Sequence, residues 1–75
     1  PNPTKGLLTI DMGMVTAPIQ HIILRDVQGR EIMRVEPTQA PSRVQLDLSR
    51  YAKGIYLMEV QVQGYAAYYT KVLRE

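Results

Sequence analysis

The chain reads as an all-β domain built from antiparallel strands, either a sandwich or a small barrel. Its apolar residues recur with a period of two: "VQLDLS" sets Val44, Leu46 and Leu48 against Gln45, Asp47 and Ser49, and "IYLMEVQV" sets Tyr56, Met58, Val60 and Val62 against Glu59 and Gln61. Such alternation marks strands with one buried face. Turn formers also punctuate the chain at short intervals, at Ala17-Pro18, Gln28-Gly29, Pro37 to Pro41, Lys53-Gly54 and Gln63-Gly64. That spacing belongs to a domain of many short strands. No stretch carries a convincing helical period, and no internal repeat is present.

The elements follow in order. "PNPTKG" opens with two prolines, which fix φ, remove backbone donors and push their predecessors to extended conformations. Residues 1–6 are therefore expected to be the end of a linker, with Gly6 turning the chain into a single domain over 7–75. The missing initiator Met suggests a domain cut from the C-terminal part of a longer protein. Six strands are expected, at 7–12, 19–26, 30–36, 44–49, 55–62 and 66–73. The second, "IQHIILRD", has an all-apolar centre that predicts burial on both faces.

Two turns are chemically specific. In "RDVQGRE", Asp26 starts a type I turn through Val27-Gln28 and Gly29 takes the left-handed position. This is a common hairpin loop with a bulge, and it sets Asp26 opposite Arg30. An exposed pair of that kind is worth only about 0.2–1 kcal/mol. In "DLSRYAKGIYLMEV", Ser49 resembles the cap of a single helical turn, Gly54 supplies a positive φ, and Tyr56 begins a strand. The spacing matches a tyrosine corner, in which a Tyr hydroxyl bonds back to upstream backbone. Tyr56 is accordingly read as a structural clamp.

Composition narrows the function classes. At 75 residues the chain is one small domain, and its 45% hydrophobic and 21% charged content is that of a globular protein. Such a domain buries only about 60% of its unfolded surface. The formal charge of +2 comes from scattered basic residues interleaved with acids, not from one basic face, so no nucleic-acid partner is expected. Without Cys there is neither a disulfide framework nor a thiolate metal site. All five aromatic residues are Tyr, whose hydroxyls need partners when buried, so some should lie at sheet margins.

Catalytic chemistry finds little support. His21 is a lone strand histidine between Gln20 and Ile22. Ser42 and Ser49 lack any surrounding nucleophile motif, and Asp11, Asp26 and Asp47 do not form a loop with calcium-ligand spacing. The expectation is a protein that is not an enzyme and carries no cofactor or metal.

Taken together and in order, "PNPTKG", "LLTI", "IILRDVQGREI", "VQLDLSRYAKGIYLMEV" and "YYTKVL" strongly resemble the type A C-terminal sorting domain of cargo exported by the type IX secretion system of Bacteroidota. The resemblance covers essentially the whole chain. It implies an immunoglobulin-like antiparallel β-sandwich of about seven strands, with the additional strand in "MGMVTAP" or "EPTQAPSR". It further implies an export address: the parent transits the periplasm and is read by the outer-membrane translocon and its shuttle components. A surface sortase usually removes the domain and joins the cargo to anionic lipopolysaccharide, leaving it at the outer membrane, on the cell surface or in the medium. Carried over by position, the family's recurrent residues are Pro1, Asn2, Pro3, Gly6, Asp26, Gly29, Arg30, Gly54 and Tyr56, together with Lys71, Val72 and Leu73 in the last strand. The family commonly ends in a Lys-rich apolar strand, whereas "KVLRE" ends with Arg74 and Glu75.

A small domain without a pocket must be recognised by its surface. The final strand is the candidate, since an edge strand accepts a partner strand. Tyr65, Tyr68 and Tyr69 beside it offer aromatic anchors, the alternative being that they only cover the sheet. The same edge suggests a homodimer formed by strand pairing. Two other readings stay open, a fibronectin-like spacer or adhesion module binding carbohydrate or protein, and a purely structural terminal sandwich.

Overall fold

A computed structural model describes residues 5–11, 19–36 and 43–75, apart from the side chain of Asp11. These residues form six strands: β1 (Leu7–Asp11), β2 (Ile19–Asp26), β3 (Glu31–Val35), β4 (Arg43–Asp47), β5 (Gly54–Val62) and β6 (Tyr68–Arg74). All six expected strands are present, β2 with the expected ends and the others with ends within two residues of those expected. The described residues hold six strands rather than seven. The two segments expected to supply another fall almost wholly on 12–18 and 37–42, outside the described residues. Pro1, Asn2 and Pro3 lie outside them as well.

The strands pair antiparallel in two sheets, β1-β4 and β3-β2-β5-β6. Two ladders join strands distant in sequence: β1 lies beside β4, with Leu8 opposite Leu46, and β2 beside β5, with Ile22 opposite Val60. The two sheets enclose a single core. Leu8, Ile10, Leu46 and Leu48 contribute from the small sheet. Ile19, Ile22 and Leu24 of β2, the alternate residues Tyr56, Met58, Val60 and Val62 of β5, and Val72 of β6 meet them from the large one. Each such buried aliphatic side chain contributes about 1.5–3 kcal/mol.

The β2–β3 hairpin forms as the sequence predicts. Gly29 N donates to Asp26 O at 3.0 Å, Asp26 N donates to Arg30 O at 3.0 Å, and Gly29 has a φ of 87°. Nothing lies within 4 Å of the place a Cβ would occupy at Gly29, so the backbone conformation, not space, is what calls for glycine there. A register shift between Leu24 and Arg25 supplies the expected irregularity.

The β4–β5 connection differs in one respect. Ser49 is not the cap of a helical turn. Tyr51 N donates to Leu48 O at 3.0 Å, closing a β-turn, and Asp47 Oδ1 accepts from Ser49 N at 2.9 Å. A carboxylate accepting a backbone N–H two residues on competes better here than a serine hydroxyl. Gly54 has the expected positive φ, 147°, and opens β5. The tyrosine corner is present: the Tyr56 hydroxyl donates to Ala52 O. Gly6 is buried beside this turn, and its carbonyl accepts from Leu48 N at 2.6 Å. That bond places Gly6 within the domain body, continuing the β1–β4 ladder.

Candidate functional site

Strand register decides what the large sheet shows to solvent. Alternate residues of β5 face inward, so Ile55, Leu57, Glu59 and Gln61 face outward. The β5–β6 register then sets Ile55 opposite Leu73, Leu57 opposite Lys71 and Glu59 opposite Tyr69. The outer side therefore carries Tyr69, Lys71 and Leu73 from β6, while Tyr68, Thr70 and Val72 belong to the inner side.

This divides the residues proposed from sequence. Tyr69 is 67% exposed and Leu73 42% exposed, and both belong to the outer surface with Lys71. Val72 is 1% exposed and packs in the core, so its side chain is a structural residue, not a contact. Tyr68, although on the inner side, lies beyond the core and is exposed, as is Tyr65 in the β5–β6 turn. Tyr65 N donates to Val62 O, and Gln61 Nε2 donates to Tyr65 O at 2.8 Å, which holds that turn against β5. The remaining two tyrosines have structural roles: Tyr56 makes the corner, and the Tyr51 hydroxyl donates to Ile32 O at 3.4 Å.

The other motif residues hold turns. Asp26 accepts three N–H groups, from Gln28 N at 2.9 Å, Arg30 N at 3.0 Å and Arg30 Nε at 2.7 Å. The Arg30 backbone N–H is the largest influence holding the Asp26 carboxyl below its ordinary value, with the Arg30 side chain and Gln28 N adding to it. Bonds from Ser49, its hydroxyl first and its backbone N–H second, lower Asp47 likewise.

Four residues take roles that the sequence reading did not give them. Ile55 and Leu57 are 49% and 41% exposed beside Leu73 and Tyr69. Their signal was in the text, as apolar residues on the polar phase of the β5 alternation. His21 is not isolated: its Nε2 lies 2.6 Å from Glu59 Oε2, and Arg25 Nη1 donates to Glu59 Oε1 at 2.9 Å. The ionised carboxylate only accepts, so Nε2 carries the proton of that bond. His21 first and Arg25 second hold Glu59 below the ordinary carboxylate value. Arg74 is the fourth. Its Nε donates to Leu48 O at 3.1 Å and its Nη2 to Ser49 O at 3.4 Å, so the last residue of β6 reaches across to the end of the other sheet. A basic residue here is a clasp between sheets.

Among the described residues, no group of three or more His, Asp or Glu side chains could hold a metal ion. What the site offers is surface: an outward apolar area on β5 and β6, with β6 at the end of the strand order.

Comparison with known proteins agrees with this arrangement of turns, corner and closing strand. The family model described as a secretion system C-terminal sorting domain matches residues 1–74. No curated protein and no solved structure matches the chain. With the match spanning the hairpin at Asp26, the corner at Tyr56 and the whole of β6, the chain belongs to the family of type IX secretion C-terminal sorting domains.

Proposed function

We propose that the chain works as an export address, read as a folded surface by the outer-membrane translocon of type IX secretion and its shuttle components. The observation that carries this reading is the family match over residues 1–74, which includes every motif that shapes the described fold. In this reading the parent passes through the periplasm and is delivered across the outer membrane. A surface sortase then removes the domain and joins the cargo to anionic lipopolysaccharide. In this reading the domain is an address and performs no catalysis of its own. The fold is read as an immunoglobulin-like sandwich, supported by the shared core, the antiparallel sheets and the tyrosine corner.

The test fuses residues 1–75 behind a signal peptide and a fluorescent reporter in a type IX-competent bacterium. Reporter at the cell surface or in the medium supports the address reading. Retention in the periplasm rejects it and returns the spacer or adhesion reading. Truncation before Tyr69 is a poor substitute for this test. It removes Val72 from the core and Arg74 from Leu48 and Ser49, so loss of export then reports unfolding as readily as lost recognition.

A further inference from the structure

The outer side of the large sheet is finished differently on its two halves. Over β2 and β3, Ile23 is only 2% exposed although it does not belong to the inner core. It lies between Arg34 and Glu59 in the ladders and between His21 and Arg25 along its own strand. Glu59 holds His21 and Arg25, while Arg34 Nη2 donates to Glu31 at 3.0 Å. A canopy of paired charges thus roofs this half. Over β5 and β6 the aliphatic and aromatic side chains are left open. Ile55 faces Leu73 directly, and Leu57 is diagonal to both Leu73 and Tyr69. Directly opposed side chains stand about 5 Å apart and diagonal ones about 7–8 Å, so these four make one continuous patch. Contiguous exposed apolar area, unlike a scattered exposed Leu, marks an interaction site.

The charges bordering the patch select its occupant. Its nearest acid, Glu59, has both oxygens engaged, one by the His21 ring and the other by the Arg25 guanidinium. At the opposite end the exposed residues Arg50 and Lys53 precede β5, with the acid Asp47 before them. Lys53 makes no ion pair among the described residues, and the exposed Lys71 stands directly opposite Leu57 on the outer side. The open apolar area therefore borders a cationic rim. A second copy would bring a rim of the same sign, which is unfavourable, whereas carboxylates on a different protein complement it and speed association.

We propose that Ile55, Leu57, Tyr69 and Leu73 form the docking face for a folded export-machinery protein whose apolar contact surface is edged with carboxylates. This rests on the export-address reading and names the surface through which it acts. It shifts recognition from the backbone margin of β6 to side chains shared by β5 and β6.

The reporter fusion tests it with the double substitution Leu57→Ser/Tyr69→Ser, with Lys53→Glu, and with Gln45→Ser on the other sheet as a control. Removing two anchors is expected to lower surface reporter at least about ten-fold. Lys53→Glu is expected to lower it about two- to five-fold, and Gln45→Ser to leave it unchanged. Melting of each purified domain separates docking from folding. Should the double variant melt early, the exposed turn substitution Lys53→Glu decides. Wild-type export with undiminished export of a stably folded face variant overturns the docking face and leaves the address reading standing. Periplasmic retention of the wild-type fusion overturns both. A purified dimer that Leu57→Ser disperses, or flotation with anionic vesicles that it abolishes, assigns the face to a second copy or to a membrane and overturns the proposal.

Discussion

Asp26 closes the β2–β3 hairpin with a single carboxylate, accepting two backbone N–H groups and one guanidinium N–H. Its carboxyl is held below its ordinary value of 3.8, and Asp47 is lowered in the same way. Glu31, bonded by Arg34, and Glu59, bonded by His21 and Arg25, are held below 4.5. A group whose folded pKa is depressed contributes stability that is complete above its unfolded pKa and lost as pH falls through the folded value. The melting midpoint should therefore be flat from about pH 7 to 5.5 and decline below about pH 4.5. Asp26→Asn should melt lower at neutral pH and lose less on acidification. Circular dichroism melts across that range check both, and an equal acid response in the variant counts against the assignment to Asp26. Tyr56→Phe removes one hydroxyl donor from Ala52 O and leaves the ring in the core. The expected cost is about 1 kcal/mol, or a midpoint lowered by about 4–8 °C, with the fold unchanged.

β6 is held to the body by three different means. Its ladder to β5 runs from Gly54 opposite Arg74 to Val60 opposite Tyr68, Val72 enters the core, and Arg74 clasps the β4–β5 turn. β2 is held instead between two neighbours, β3 and β5, with Ile22, Ile23 and Leu24 all buried. Arg74→Ala should therefore accelerate amide exchange in Tyr68–Arg74 more than in Ile19–Asp26, since local opening follows the elements with fewest buried contacts. Uniform acceleration through the sheet would show that Arg74 acts on global stability alone. The burial of all three β2 residues was readable as an apolar run. That Ile23 is buried beneath paired charges was not, because Glu59 is 36 positions away along the chain. Ser49 was misread because Asp47, two residues before it, offers the stronger acceptor for the same turn.

One core shared by two sheets carries the stability of the molecule, with no disulfide to supplement it. Leu24 is 0% exposed at the centre of that core. Leu24→Ala should cost about 2–5 kcal/mol, against a total of about 5–15 kcal/mol for ordinary domains. Urea titration should find the variant close to the unfolding threshold, and export of a reporter fused to it should fail with the fold. A variant as stable as the parent would mean that the core collapses around the gap. Strand existence, the hairpin at Gly29 and the corner at Tyr56 follow from periodicity and turn chemistry, which are local and act over a few neighbouring residues. Which strands lie side by side is set by burying Leu8 against Leu46 and Ile22 against Val60 across long separations, and no local pattern encodes it. That pairing sends Val72 inward and gathers Ile55, Leu57, Tyr69 and Leu73 on one outer surface. Four ordinary side chains become a patch through register between strands, a property that arises when distant segments share one core.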